Sequence, residues 1–321
     1  MRLFFLLLSV LTAAAQQPNF YKSVDRVIWV VDDMDRVIHG WDKLGLVTIE
    51  KRQDLDALVE FRGNQVKEKI RMASGFFGDV RVEWIQPLGG ATAYADFQKR
   101  HGLGILSLVH RVPTLPEFQA EIERLRQAGV AVLEQGERGA VHYAYFDTEQ
   151  AGKYVLGLIC LPDGAEESAA PAGTKIVQFA FAVRDLKPIS AFWEKVGFAP
   201  MAFNSSHLSD ARYRGTPVPV QQDVGWQRGR KIVYEWLQPV SLPTLLDDHI
   251  KQRGEGIEHL AIQVPDIAKA VEEWQALGFH EYQSGAWGDV GKKGSGRFTY
   301  MDTESIGGLV IELLWNFPGP S

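Results

Sequence analysis

The chain has 321 residues, 45% hydrophobic and 23% charged, with 34 Lys and Arg against 40 Asp and Glu for a net charge of −6. That length points to two globular units, and the composition excludes a disordered or fibrous chain. A mildly acidic chain with no Lys/Arg run longer than two residues has no global field to draw nucleic acid or anionic lipid.

In chain order, the first segment reads as a leader. Met1-Arg2 starts positive, Leu3 to Leu11 is apolar apart from Ser9, and Ala13-Ala14-Ala15 offers a small-residue cleavage site before Gln16. This pattern predicts a secretory signal peptide over residues 1–15, with the mature chain exported, periplasmic or secreted, and free of the membrane after cleavage. No later stretch reaches the roughly 18 continuous apolar residues of a membrane helix. Cys160 is the only cysteine, so no intrachain disulfide can form, and the run Leu158-Ile159-Cys160-Leu161 predicts a core thiol.

The rest of the chain is written twice. Phe61-Arg62-Gly63 returns as Tyr213-Arg214-Gly215, and Glu83-Trp84-Ile85-Gln86-Pro87 as Glu235-Trp236-Leu237-Gln238-Pro239, both at a spacing of 152. Tyr145-Phe146-Asp147-Thr148-Glu149 returns as Tyr300-Met301-Asp302-Thr303-Glu304 at a spacing of 155. The halves predict two domains, 16–162 and 175–321, joined by an Ala-, Gly-, Glu- and Ser-rich linker over 163–174.

Each half divides again. Segments starting at Val24, Ile105, Ile176 and Ile257 share one order: an alternating strand, a turn, an amphipathic helix, then Gly with an apolar residue. In the third, Val177, Phe179, Phe181 and Val183 alternate with Gln178, Ala180 and Ala182, which predicts a sheet covered on one face. The following helix places Ile189, Phe192, Trp193 and Val196 on one stripe, and Gly197 ends it. Further strand-like runs close each quarter, so the repeating unit is βαβββ, four times over, an α+β fold.

Four βαβββ units with the phrasing Ile257-Glu258-His259-Leu260-Ala261-Ile262-Gln263-Val264-Pro265-Asp266 and Gly308-Leu309-Val310-Ile311-Glu312-Leu313 resemble the vicinal oxygen chelate superfamily. That superfamily includes glyoxalase I, methylmalonyl-CoA epimerase, the fosfomycin and bleomycin resistance proteins and the extradiol dioxygenases. The resemblance spans about Ser23 to Asn316 and implies two glyoxalase-like cups, each made of two paired modules.

It also implies where a metal would sit: the first and last strand of each module, which in the second half are Gln178, Glu235, His259 and Glu312. These resemble the Gln, Glu, His, Glu set of eukaryotic-type glyoxalase I. In the first half the same positions hold Arg26, Glu83, Ser107 and Gly157, which predicts a metal-free cup with Arg26 neutralising Glu83. Glu312 stands between Ile311 and Leu313, where an unpaired buried charge would cost several kcal/mol. The expected cofactor is one divalent ion; the donor set suits Zn, Ni, Co, Mn or Fe without choosing among them.

The expected chemistry is isomerase, epimerase or lyase action through an enediolate or enolate, with Glu312 as first choice of base and Glu235 as second. The expected partner is a small oxygenated molecule, anionic among the candidates, on a monomer or homodimer. An extradiol-type dioxygenase and a non-catalytic ligand-binding protein of the bleomycin-resistance type stand as alternatives. The glycine-rich segment from Gly278 to Asp302, with Lys292, Lys293 and Arg297, reads equally as a lid or a solvated hairpin, and His207, His249 and His280 are expected to face solvent.

Overall fold

The computed structural model describes residues 18–318 except 166 and 290; the predicted signal peptide over 1–15 lies outside the described residues. The first half runs β1 (Arg26–Val30), α1 (Met34–Asp42), β2 (Val47–Phe61), β3 (Asn64–Phe77), β4 (Val80–Gly89), α2 (Ala93–His101), β5 (Gly104–Arg111), α3 (Leu115–Gln127), β6 (Val132–Arg138), β7 (Val141–Phe146), α4 (Glu149–Gly152) and β8 (Val155–Cys160). The second runs β9 (Ile176–Ala182), α5 (Leu186–Val196), β10 (Ala202–Tyr213), β11 (Thr216–Pro217), β12 (Val220–Arg228), β13 (Val233–Pro239), α6 (Leu245–Arg253), β14 (Gly256–Gln263), α7 (Ile267–Ala276), β15 (Glu281–Trp287), β16 (Gly296–Met301), α8 (Glu304–Gly307) and β17 (Val310–Asn316).

The βαβββ order therefore holds in all four quarters. A polar N-cap starts each principal helix: Asp33, Thr114, Asp185 and Asp266 each accept from backbone N–H groups of the first turn. Gly197 ends α5 at φ 109, a left-handed conformation that costs a glycine little.

In each half two modules close into one cup. The first sheet is a closed barrel, β1-β4-β3-β2-β6-β7-β8-β5, and the second follows the same order, with β10 also pairing β15 to shut the ring. β1 lies parallel to β4 and antiparallel to β5; β9 lies parallel to β13 and antiparallel to β14. The first strand of a module is thus central, flanked by its own last strand and by the partner module. β13-β9-β14-β17 run side by side.

The central strands β1, β5, β9 and β14 are buried on both faces over most of their length, unlike the one-sided cover that alternation alone predicts, whereas β2 and β10 stay largely exposed. Phe179, Phe181 and Val183 face a core shared by both halves, while Ala180 and Ala182 pack inside the cup with Leu246 and Ile250 of α6. A helix laid across the barrel end supplies the second cover, and small residues count as apolar there.

The shared core joins the halves. Trp193 of α5 donates its indole N–H to Gly152 O at 3.0 Å, and Trp29 donates to Gly307 O at 2.7 Å. A Cβ on Gly152 would lie 2.5 Å from Trp193, and one on Gly307 2.3 Å from Trp41, so glycine is what lets these rings seat. Burying each large apolar side chain contributes roughly 1.5–3 kcal/mol, and Trp29, Trp41, Trp84, Trp193 and Trp236 are all fully buried.

Candidate metal centre

The four strands β13, β9, β14 and β17 carry Glu235, Gln178, His259 and Glu312. Register explains why these side chains meet. Ala180 is the cross-strand partner of both Glu235 and His259, and Ala261 of both Gln178 and Glu312. Alanine between two longer side chains leaves them room to converge. Glu235, His259 and Glu312 are buried, and each offers a ligand atom within 4.8 Å of the others. His259 Nε2 lies 3.5 Å from Glu312 Oε2, and Gln178 donates through Nε2 to Glu235 Oε2 at 3.2 Å.

Gln178 Oε1, His259 Nε2 and Glu312 Oε2 are all buried without a hydrogen-bond partner. Buried polar atoms are normally paired, and three orphans in one cluster ask for a shared partner. An amide oxygen, an imidazole nitrogen and a carboxylate oxygen are a donor set that fits a divalent cation.

Glu258 is the site residue that sequence reasoning missed. Its side chain is fully enclosed, and its Oε2 lies 2.5 Å from His259 Nδ1. Successive strand residues normally point to opposite faces, but pairing of β14 with β9 shifts register between Ile257 and His259, and the two side chains meet. The equivalent position in the first half is Leu106, so the comparison of halves already held the signal. A carboxylate on Nδ1 fixes the ring and directs the Nε2 lone pair at the cluster. Glu258→Gln is expected to weaken divalent-ion affinity by about 10- to 100-fold, measured by competition with a chromophoric chelator; unchanged affinity would remove the residue from this role.

The cluster's charges are strained without a cation. Burial, then the charge of Glu312, pushes the Glu235 carboxyl up to about 8. Burial opposes protonation of His259, but the charge and hydrogen bond of Glu258, with Glu312 adding, carry it up to about 10. A carboxyl whose folded value is raised contributes stability fully present below its unfolded value, and loses it as pH rises through the folded one. Chelator-treated wild type and Glu235→Gln should therefore be equally stable near pH 4, with the variant increasingly the more stable between about 4.5 and 8. Denaturant midpoints across that range check it; a constant difference would contradict the raised value.

In the first half Arg26 fills the corresponding place. It is buried, its Nη1 lies 2.7 Å from Glu83 Oε1, and Arg138 reaches Glu83 Oε2 at 3.3 Å. A Cβ on Gly157 would come within 2.6 Å of Ser107 Oγ. The expected ion pair is present, and sequence reasoning did not find Arg138, whose cation also stacks 4.6 Å over Tyr143.

Residues shared by both halves hold the scaffold. Gln86 and Gln238 accept from the backbone N–H of Met34 and Leu186, each at 3.2 Å, tying helix starts to the sheet. Thr148 and Thr303 donate to Tyr154 O and Leu309 O. His207 and His280 are exposed as expected, whereas His249 is buried because α6 seats Leu245, Leu246 and Ile250 against the barrel; burial pushes it down to about 4. The glycine-rich segment forms the β15–β16 hairpin, with Lys292 paired to Asp289 and Arg297 to Asp210, both at 3.0 Å.

The family model described as Glyoxalase/Bleomycin resistance protein/Dioxygenase superfamily matches residues 25–146 and again 177–300. The chain belongs to this superfamily. Two matches in tandem agree with the two cups. Among curated proteins, none matches the sequence. Of solved structures, the superfamily chain is similar to a mutant 4-hydroxymandelate synthase from Streptomyces coelicolor, at 17% identity, 95% of each chain and a TM-score of 0.62. It is also similar to a xylose isomerase-like TIM barrel/4-hydroxyphenylpyruvate dioxygenase fusion protein, at 13% identity over 96% of this chain and 51% of that one, TM-score 0.50. A Mn(II)-bound glyoxalase from Novosphingobium aromaticivorans aligns at 14% identity over 92% and 82%, TM-score 0.47.

Proposed function

We propose that the second cup is the site of a metal-dependent isomerase, epimerase or lyase acting on a small oxygenated substrate. One observation carries this reading: the orphaned donors Gln178 Oε1, His259 Nε2 and Glu312 Oε2 share one buried cluster with Glu235. A divalent cation held there supplies Lewis acidity to a substrate oxygen. Glu312, with a partnerless Oε2, takes the proton from the carbon beside that oxygen and returns it; Glu235, in the same buried cluster, is the second candidate. Glu258 holds the His259 ring, and Tyr300, with its ring centroid 4.6 Å from the imidazole, walls the site from water.

The cluster holds one imidazole, against the two of the two-His, one-carboxylate iron site, which supports proton transfer over oxygen chemistry. Metal analysis of the purified protein tests the reading. Zinc, nickel, cobalt or manganese at one per chain is the expected result; Fe(II) with oxygen uptake would replace it with a dioxygenase, and a metal-free protein with a ligand-binding module. We also propose export after loss of residues 1–15, which disfavours cytoplasmic thiol conjugates as substrates. N-terminal sequencing of the exported protein should then begin at Gln16.

A further inference from the structure

A cleft of about 710 Å³ opens where the two halves meet, bounded by residues 19–25, the β3–β4 turn, the linker at 167–168 and the β12–β13 turn. That volume lies within the roughly 300–1,000 Å³ range of small-molecule sites. Phe20, Phe76, Phe198 and Ile232 give it an apolar lining. Lys22, Arg228, Arg230 and Lys231 add four cations.

The acids that line the cleft are already engaged. Asp25 pairs with Arg26 and Arg111, Glu167 with Arg26 at 2.6 Å and with Arg111, and Asp79 accepts the Ile176 N–H at 2.9 Å. The four cations have no carboxylate partner among the described residues; Arg228 lies instead over the Trp226 ring, at 5.7 Å. The turn bearing three of them is locked in place: Arg230 N donates to Lys22 O at 2.7 Å and Gly229 N to Ile232 O at 3.0 Å. A Cβ on Gly229 would meet those same two oxygens at 2.9 and 2.8 Å, so the close approach requires glycine.

Scaffold does not account for the charge. Where the second half has Arg228-Gly229-Arg230-Lys231, the first has Phe76-Phe77-Gly78-Asp79 at the spacing of 152. Three of the four cations belong to the second half of an otherwise acidic chain, Lys22 joins them from the first, and the apolar wall draws on both halves, Phe20 and Phe76 from the first and Phe198 and Ile232 from the second.

We propose that this cleft binds a small amphipathic anion, with a flat apolar body against Phe20, Phe76 and Phe198 and a carboxylate, sulfate or phosphate group at Lys22, Arg230 and Lys231. The site is separate from the metal centre, since none of Gln178, Glu235, His259 and Glu312 lines it, and both halves build it. Phenyl phosphate titrated calorimetrically into the full-length protein tests it. One saturable site is expected, weakened about tenfold or more by Arg230→Gln with Lys231→Gln, since each charge-assisted bond lost is worth at least that factor. Inorganic phosphate, lacking the body, and benzyl alcohol, lacking the charge, should both bind more weakly. The absence of saturable binding would overturn the proposal, as would binding that survives the double substitution but disappears in Glu312→Gln, which would assign the anion to the metal centre. Capture on phosphatidylserine vesicles without phenyl phosphate binding would overturn it in favour of a membrane surface.

Discussion

Glu312→Gln is expected to yield a folded protein that retains less than about a tenth of the wild-type divalent ion, since one lost charged ligand is worth well over tenfold in affinity, and that shows no turnover. The two effects share a cause. Glu312 offers an unpartnered buried carboxylate oxygen 3.5 Å from His259 Nε2, and a second amide in its place binds a cation more weakly than the charged carboxylate and lacks the basicity that proton transfer needs. The fold should survive because the substitution keeps shape and removes one of the like charges crowded with Glu235 and Glu258 around a single imidazole. Chelator-treated variant should therefore be at least as stable as chelator-treated wild type. Added metal should separate them: at a hundredfold excess over its dissociation constant, a ligand specific to the folded state adds about 2.7 kcal/mol, and the variant should gain almost none. Elemental analysis with paired melting curves reads both. Full metal content in the variant would remove Glu312 from the ligand set, and retained activity would remove it as the base.

Arg26→Met should cost about 3 kcal/mol or more of stability, the usual consequence of leaving a buried charge without its partner. Arg26 serves three carboxylates at once: Glu83 at 2.7 Å, Asp25 at 2.8 Å and Glu167 at 2.6 Å. Arg138 at 3.3 Å from Glu83 covers part of the loss. The double variant Arg26→Met/Glu83→Gln should recover part of it, because one of the three charges is then gone while Asp25 and Glu167 keep Arg111 as a partner. Neither variant should acquire metal, since Ser107 and Gly157 still stand where His259 and Glu312 stand in the other cup. Urea midpoints decide the matter; a single substitution within about 0.5 kcal/mol of wild type, the ordinary range for surface changes, would show that Arg26 is not compensating a buried charge.

Much of this architecture is legible along the chain, because it is built from local regularities said four times. Alternation in Val177 to Val183, the helix stop at Gly197, and the return of Glu-Trp-hydrophobic-Gln-Pro after 152 residues each report a strand, a helix end or a module boundary without reference to any distant residue. Comparing the halves also separates Gln86 and Thr148, which brace the scaffold in both, from Arg26 and Gln178, which differ at equivalent points of the two cups.

What needed the folded molecule is everything that depends on register shifts and on meetings between distant segments. Glu258 and His259 are neighbours that strand periodicity sends to opposite faces; a shift against β9 brings them together. His249 is a polar residue on a short helix, and only the seating of α6 against the barrel end shows that it is buried. The cleft draws its walls from residues 19–25, 76–81 and 227–234, which no local pattern connects. Periodicity is a property of backbone geometry within one element, so composition and spacing reveal it. Burial and electrostatic environment are set by whatever packs on the other side, and that is a property of the assembled chain alone.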